Sequence, residues 1–138
     1  MQKRNTMKTL KNLVGIGIVL FVFYSFTTFI QEEWIVPEKY INMKNPTNPS
    51  EDLDIGKSLY SKHCKSCHGK EGYGDGPKAD EQEGDLGDFS SEEFQTQTDG
   101  AIFYKSTFGR DDMPEYTKKM PDDEDRWLIV NYMRTLAE

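Results

Sequence analysis

The stretch Cys64-Lys65-Ser66-Cys67-His68 decides how this sequence folds. Its two thiols are three positions apart, about one helical turn, and a histidine follows the second thiol directly. Thiols at this spacing can form thioether bonds to the two vinyl groups of one haem, and the imidazole is then placed under the iron. The pattern therefore predicts one covalently attached haem c, held by Cys64 and Cys67, with His68 as an iron ligand.

Three other uses of the cysteine pair fit the sequence less well. A thioredoxin-like redox pair expects alternating strands and helices, and no strand pattern is present. A structural zinc ion needs four ligands, but His63 and His68 crowd into the same six residues as the two thiols. A plain disulfide would leave His68 without a role. Covalent haem accounts for all three motif residues.

The second iron ligand can be sought by elimination. His63 precedes Cys64 on the same side of the haem and cannot reach the opposite face, so a methionine sulfur is the usual alternative. Met113 and Met120 both precede a proline, and Met113 also lies in a loop rich in turn residues. The sequence favours Met113, with Met120 and an open iron as the alternatives. The other methionines lie in the N-terminal segments or in the last predicted helix: Met1, Met7, Met43 and Met133.

The composition excludes some classes of protein. The chain has 138 residues, 17 Lys plus Arg, 24 Asp plus Glu and a formal net charge of −7. An acidic balance argues against nucleic acid as a partner, because phosphates are bound by Lys and Arg. Two cysteines are too few for a disulfide-rich scaffold.

The N-terminus has a distinct pattern. Residues 1–11 contain four basic residues and no acid, and residues 12–31 contain no charge. Twenty such residues as a helix would span about 30 Å, the hydrocarbon thickness of a bilayer. This pattern predicts a cytoplasmic n-region over 1–11 and a transmembrane signal-anchor over 12–31, with the rest on the periplasmic side of the cytoplasmic membrane. A cleaved signal peptide is the alternative.

Residues 32–50 are predicted to be a periplasmic tether. Pro37, Pro46 and Pro49 interrupt helices, and the asparagines between them favour turns. The remaining residues, 51–138, include 11 basic and 21 acidic residues, a net charge of −10. A domain this small often needs a cofactor to complete its core.

Residues 51–138 are predicted to be all-α, with three to four helices around the haem. Helical spacing and capping residues predict helices over 51–63 and 99–107 and a last helix capped by Asp122. Residues 79–93 contain seven acids and no base, which predicts an exposed loop with little structure. With the N-terminal segment, the predicted fold class is a small all-α haem domain preceded by one transmembrane helix.

These motifs, in this order over residues 53–137, resemble a class I cytochrome c in its membrane-anchored bacterial form. The resemblance rests on residues 56–60 before the cysteine motif, the glycine-rich turn 72–77, the loop 109–114 and the last helix. It implies that Gly56 lets the first helix cross the last one closely, and that the Pro77 carbonyl accepts a hydrogen bond from His68. It also implies that Phe103 and Trp127 form walls of the haem pocket.

The resemblance implies an electron-transfer protein of a respiratory chain rather than an enzyme. An iron bound by His68 and Met113 has both axial positions filled, so it transfers single electrons and does not bind substrate. The expected donor is a membrane quinol-oxidising complex, and the expected acceptor is a terminal oxidase or reductase. The alternative is a fixed haem subunit of a larger respiratory or dehydrogenase complex.

Overall fold

The computed structural model describes residues 32–137, and residues 33 onward form one compact unit. No helix in this part of the chain is long and apolar enough to cross a membrane. The longest has 12 residues and spans about 18 Å, against about 30 Å for a bilayer core. This finding contradicts the predicted membrane-spanning helix and the predicted membrane location. The predicted span itself, residues 12–31, lies outside the described residues.

Residues 32–137 fold into six α-helices and one 3₁₀ turn, Ala79–Glu81. The α-helices are α1 (Glu38–Ile41), α2 (Leu53–His63), α3 (Lys65–His68), α4 (Glu92–Gln95), α5 (Asp99–Phe108) and α6 (Asp123–Arg134). The all-α prediction is confirmed, but the number of helices is higher than the three to four predicted. The difference comes from α1, α3 and α4, which are single turns of four residues that neighbouring segments hold in place.

The longer helices begin close to where their capping residues predict. The Thr98 hydroxyl accepts a hydrogen bond from the Ala101 amide at the start of α5, and Asp122 accepts one from the Glu124 amide at the start of α6. Helix α2 starts two residues later than predicted. Asp52 precedes it in the left-handed region, with φ of 54° and no side-chain capping bond.

Helices α2 and α6 cross closely and form the centre of the domain. A Cβ atom at Gly56 would overlap the Leu128 carbonyl oxygen and lie 3.3 Å from Cβ of Tyr132. Glycine is therefore required at the crossing, as the family resemblance implied. Helix α6 contributes five buried apolar side chains to the core: Trp127, Leu128, Ile129, Val130 and Met133.

Residues 33–50, which we call the N-terminal strap, pack on the domain. The Tyr40 ring of α1 lies against the rings of Tyr104 and Phe108 on α5, with centroids 4.8 and 5.5 Å away. Further along, the strap is hydrogen-bonded to Asn131, a residue of α6 that is 3% exposed. The segment predicted as a tether thus contains one helical turn and contacts both long C-terminal helices.

The acidic segment, residues 79–93, is more ordered than the predicted loop. Its carboxylates are exposed, but Phe89 is buried and its amide donates a hydrogen bond to the Gly72 carbonyl. The Phe89 ring stacks on Phe94 at 4.5 Å. Phe89 therefore attaches the acidic segment to the core, and the acidic side chains on either side of it remain exposed to solvent.

Candidate haem-binding site

The cysteine motif forms its own turn of helix. Cys64 ends α2 and caps α3, and its carbonyl accepts hydrogen bonds from the amides of Cys67 (3.1 Å) and His68 (3.0 Å). Both cysteines are free and only partly buried as residues, and Cys64 packs against the core cluster. Burial raises the pKa of the Cys64 thiol to about 12. The predicted motif residues are therefore together, with the two thiols three positions apart on a single turn.

The glycine-rich loop that follows satisfies the carbonyl end of α3. A helix end leaves four carbonyls without partners inside the helix. Here the amides of Gly74, Gly76 and Lys78 donate to the carbonyls of His68, Cys67 and Ser66 at 2.9, 3.0 and 2.8 Å. The next carbonyl, of Gly69, accepts from the buried Tyr60 hydroxyl at 2.9 Å. The loop thus fixes the backbone that presents the thiols and the imidazole.

His68 has the environment of a neutral ligand histidine. Its side chain is 9% exposed and stacks on Phe89, with ring centroids 4.6 Å apart. Burial lowers the pKa of His68, so the ring is uncharged at neutral pH and can donate an electron pair to a metal. Nδ1 is buried and has no hydrogen-bond partner among the described residues.

Within residues 32–137 the structure has no hydrogen bond from His68 Nδ1 to the Pro77 carbonyl. Pro77 is exposed at the end of the glycine-rich loop. Burial is the larger influence on the pKa of His68, and the Leu86 backbone, in the acidic segment, opposes it by raising that pKa. A role for Pro77 beside the bound cofactor stays a prediction.

Met113 and Met120 occupy different environments. Met113 lies on a tight turn in which the amide and carbonyl of Arg110 bond the carbonyl and amide of Met113, at 3.0 and 2.9 Å. Its side chain is half-buried. Met120 is 3% exposed and belongs to the core cluster, and its carbonyl accepts a hydrogen bond from the Arg126 guanidinium. Of the two methionines, therefore, Met120 is a core residue and Met113 is not.

Phe103 and Trp127 lie side by side in the core. Their rings stack with centroids 3.9 Å apart and an angle of 14° between the planes, and both are buried. The Arg126 guanidinium lies 5.7 Å from the centroid of the Phe103 ring. The structure therefore gives both aromatics a packing role, and their contact with a haem stays a prediction.

Three aromatic residues near the site were not identified from the sequence. Tyr60 bonds Gly69, Phe89 stacks on His68, and the Tyr116 hydroxyl donates to the His63 carbonyl at 2.7 Å. Phe89 could have been noticed as the one aromatic in a run of acids. Tyr116, three residues after Met113, could have been noticed as the next large side chain in its loop.

The donor set fits a covalent haem. Two free thiols on one helical turn match the two vinyl groups, and the neutral His68 side chain has a buried ring nitrogen without a protein partner. Within residues 32–137 no group of three or more Cys, His, Asp and Glu could hold a bare metal ion.

Comparison with known proteins agrees with this chemistry. No curated protein matches the sequence. Among solved structures, the chain is similar to one from the Kuenenia stuttgartiensis reducing HAO-like protein complex, with 30% identity and a TM-score of 0.59. The match covers 80% of this chain and 53% of the other, so this chain spans about half the length of that relative.

The family comparison covers the whole folded region from α2 to α6. The model of the cytochrome c family matches residues 53–137, which include Cys64, Cys67 and His68. This match implies a covalently attached haem c and electron transfer through that haem. With its cysteine motif, its glycine-rich loop and its methionine turn inside that match, the chain belongs to the cytochrome c family.

Proposed function

We propose that this protein is a one-electron carrier whose haem iron has His68 and Met113 as its two axial ligands. It would accept electrons from a quinol-oxidising complex and deliver them to a terminal oxidase or reductase. The observation that carries the proposal is the contrast between the two candidate methionines. Met120 is held in the core, whereas Met113 is half-buried at the end of a tight turn and does not belong to the core cluster.

The residues of the chain have separate tasks in this proposal. When bound, the haem supplies a one-electron change between two oxidation states of its iron. Cys64 and Cys67 retain the haem covalently, and His68 offers a neutral imidazole because its pKa is lowered by burial. With His68 and Met113 both bound to the iron, no position would be left for a substrate, and the hydrogen-bonded loop would keep the imidazole in one place.

The methionine assignment can be tested by carbon monoxide binding to the reduced protein. We expect the wild-type protein to bind the gas weakly, because the methionine sulfur holds the sixth position. Met113→Ala should bind it readily and should have a lower reduction potential, since a thioether ligand raises the potential. Met120→Ala is the matched control: it should be less stable by about 2–5 kcal/mol, the usual cost of a core truncation, and keep the wild-type ligands. Ready binding by the wild-type protein would mean that the sixth position is open.

The donor and acceptor can be tested with isolated complexes. A quinol-oxidising complex should reduce the purified protein, and a terminal oxidase or reductase should reoxidise it, both faster than a soluble dye of similar potential. If neither complex reacts, the assigned place in a respiratory chain is wrong, although the haem ligands could still be as proposed.

A second candidate function is a fixed haem subunit of a larger complex. The similar solved chain belongs to a protein complex, which favours this alternative. The native mass of the haem protein after gentle extraction from its source cells decides between the two. A mass near 16 kDa plus haem supports a free carrier, and a much larger mass with co-purifying subunits supports the second candidate.

A further inference from the structure

The N-terminal strap, residues 33–50, lies before the region that the family model matches, which begins at residue 53. It is nevertheless built into the domain. Asn131, in the second half of α6, uses both the nitrogen and the oxygen of its side-chain amide to bind the strap. The nitrogen donates to the Thr47 hydroxyl and the Asn48 carbonyl, at 2.9 and 3.2 Å, and the oxygen accepts from the Asn45 side chain at 2.7 Å. A buried amide with all of these partners on one segment indicates a specific contact.

The other end of the strap is fixed on α5. A Cβ atom at Gly100 would overlap the Tyr40 carbonyl oxygen, so α5 has no side chain where the strap backbone crosses it. The Tyr40 ring then packs on Tyr104 and Phe108. These contacts determine where the residues before α1 lie.

Beyond this anchor, Trp34 reaches two cations. Its ring centroid lies 4.7 Å from the guanidinium carbon of Arg110 and 5.9 Å from the ammonium nitrogen of Lys105, both within the range of cation–π contacts. The two cations repel each other: after burial, the charge of Arg110 is the next cause that lowers the pKa of Lys105. The Trp34 ring attracts both the Lys105 ammonium and the Arg110 guanidinium, and it therefore helps to keep the two side chains close together despite their repulsion.

Arg110 is the first residue of the turn that carries Met113. Its amide and carbonyl make the two hydrogen bonds that close the turn, and its side chain also pairs with Asp111 at 3.2 Å. Asp111 has a φ of 52°, a conformation that costs a non-glycine residue free energy and needs support from its surroundings. A contact that holds the Arg110 side chain therefore acts on the residue whose backbone closes the turn.

We propose that Trp34 is a positioning residue for Met113: through Arg110, the strap holds the methionine turn in the conformation that keeps the sulfur on the iron. The proposal rests on Met113 as the axial ligand. It assigns the strap a part in haem ligation that residues 53–137 do not supply. The strap acts on the lifetime of the iron–sulfur bond and makes no contact with the iron.

The test measures how fast carbon monoxide displaces the sulfur in the reduced, full-length holoprotein. Trp34→Ala should speed displacement by roughly two- to thirty-fold, the factor that corresponds to losing one or two cation–π contacts. Trp34→Phe keeps an aromatic face and should restore most of the wild-type rate. Ile35→Ala is the matched control in the same segment, because Ile35 is 80% exposed, and it should leave the rate unchanged.

A second pair of variants tests the contact between Trp34 and Arg110 by changing Arg110. Arg110→Gln removes the cation and should speed displacement as Trp34→Ala does, whereas Arg110→Lys keeps a cation and should lie closer to the wild type. This pair decides the question if Trp34→Ala yields no holoprotein. An equal rate for the Gln and Lys variants would overturn the proposal.

The outcomes separate this inference from the proposed function. If Met113→Ala speeds carbon monoxide binding and Trp34→Ala behaves like Ile35→Ala, the ligand assignment holds and the role of Trp34 is refuted. If Met113→Ala changes nothing, the ligand assignment itself fails. A wild-type rate in Trp34→Ala combined with a lower melting temperature would show that the strap only stabilises the fold.

Discussion

Replacing Tyr60 by phenylalanine removes a hydroxyl group that donates a hydrogen bond to the backbone beside the cysteine motif. The Tyr60 side chain is 1% exposed, and its hydroxyl donates to the Gly69 carbonyl, directly after His68. Burial raises the pKa of Tyr60, so the hydroxyl remains a donor at every pH at which the protein is handled. The substitution changes no packing volume except that of the hydroxyl, and it leaves the Gly69 carbonyl without its partner.

The size of the effect follows from that unpaired carbonyl. Leaving a buried acceptor unsatisfied costs about 1–3 kcal/mol, which is more than the net value of an ordinary hydrogen bond. For a domain of about 100 residues, 1 kcal/mol lowers the melting temperature by roughly 4–8 °C. We therefore expect Tyr60→Phe to lose about 1–3 kcal/mol of unfolding free energy.

The assay is guanidinium unfolding of the holoprotein, followed by tryptophan fluorescence. Tyr132→Phe is the matched control, because Tyr132 packs on Tyr60 with ring centroids 5.1 Å apart but is only partly buried. A change at such a surface position is usually within about 0.5 kcal/mol. Equal stabilities of the two variants would refute the claim that the Tyr60 hydroxyl supports the motif.

Three other predictions concern the same site. Cys67→Ala should lose most of its holoprotein, and haem that acid acetone extracts from the wild-type protein would contradict covalent attachment. Tyr116→Phe, which loses the bond to the His63 carbonyl, should lower the unfolding free energy by about 1 kcal/mol in the same denaturation assay. Burial, followed by the charges of Lys62 and Lys119, lowers the pKa of His63 in the folded protein. The unfolded chain therefore binds the proton more readily, so stability should fall as the pH drops through about 6.5, and His63→Gln should reduce this fall.

The sequence predicted those parts of the fold that local chemistry determines. Asp122 and Thr98 cap their helices because a side-chain oxygen bonds the first free amides, and this needs no information from elsewhere in the chain. The motif residues Cys64, Cys67 and His68 come together for a similar reason, since their spacing is one helical turn. The close approach at Gly56 followed from family resemblance.

The parts that were missed depend on contacts between distant residues. Phe89 stands among acids and was assigned to an exposed loop, but its burial depends on His68 and Phe94, which no local pattern reveals. The strap contains prolines and asparagines typical of a linker, and its hydrogen bonds to Asn131 depend on a residue more than 80 positions away. The helical turns α1 and α4 are too short to be stable alone and form where such contacts hold them.

The bonds between the strap and Asn131 also concern the order of folding. Asn45 and Asn131 are 86 positions apart, and the α2–α6 crossing likewise joins the first long helix to the last. A chain that emerges N-terminus first has no partner for either element until residues 123–134 of α6 are available. The two thiols, made well before α6, would therefore be exposed on an incompletely folded polypeptide until that helix follows. Haem attachment would then be able to precede closure of the domain, which packing of α6 would complete.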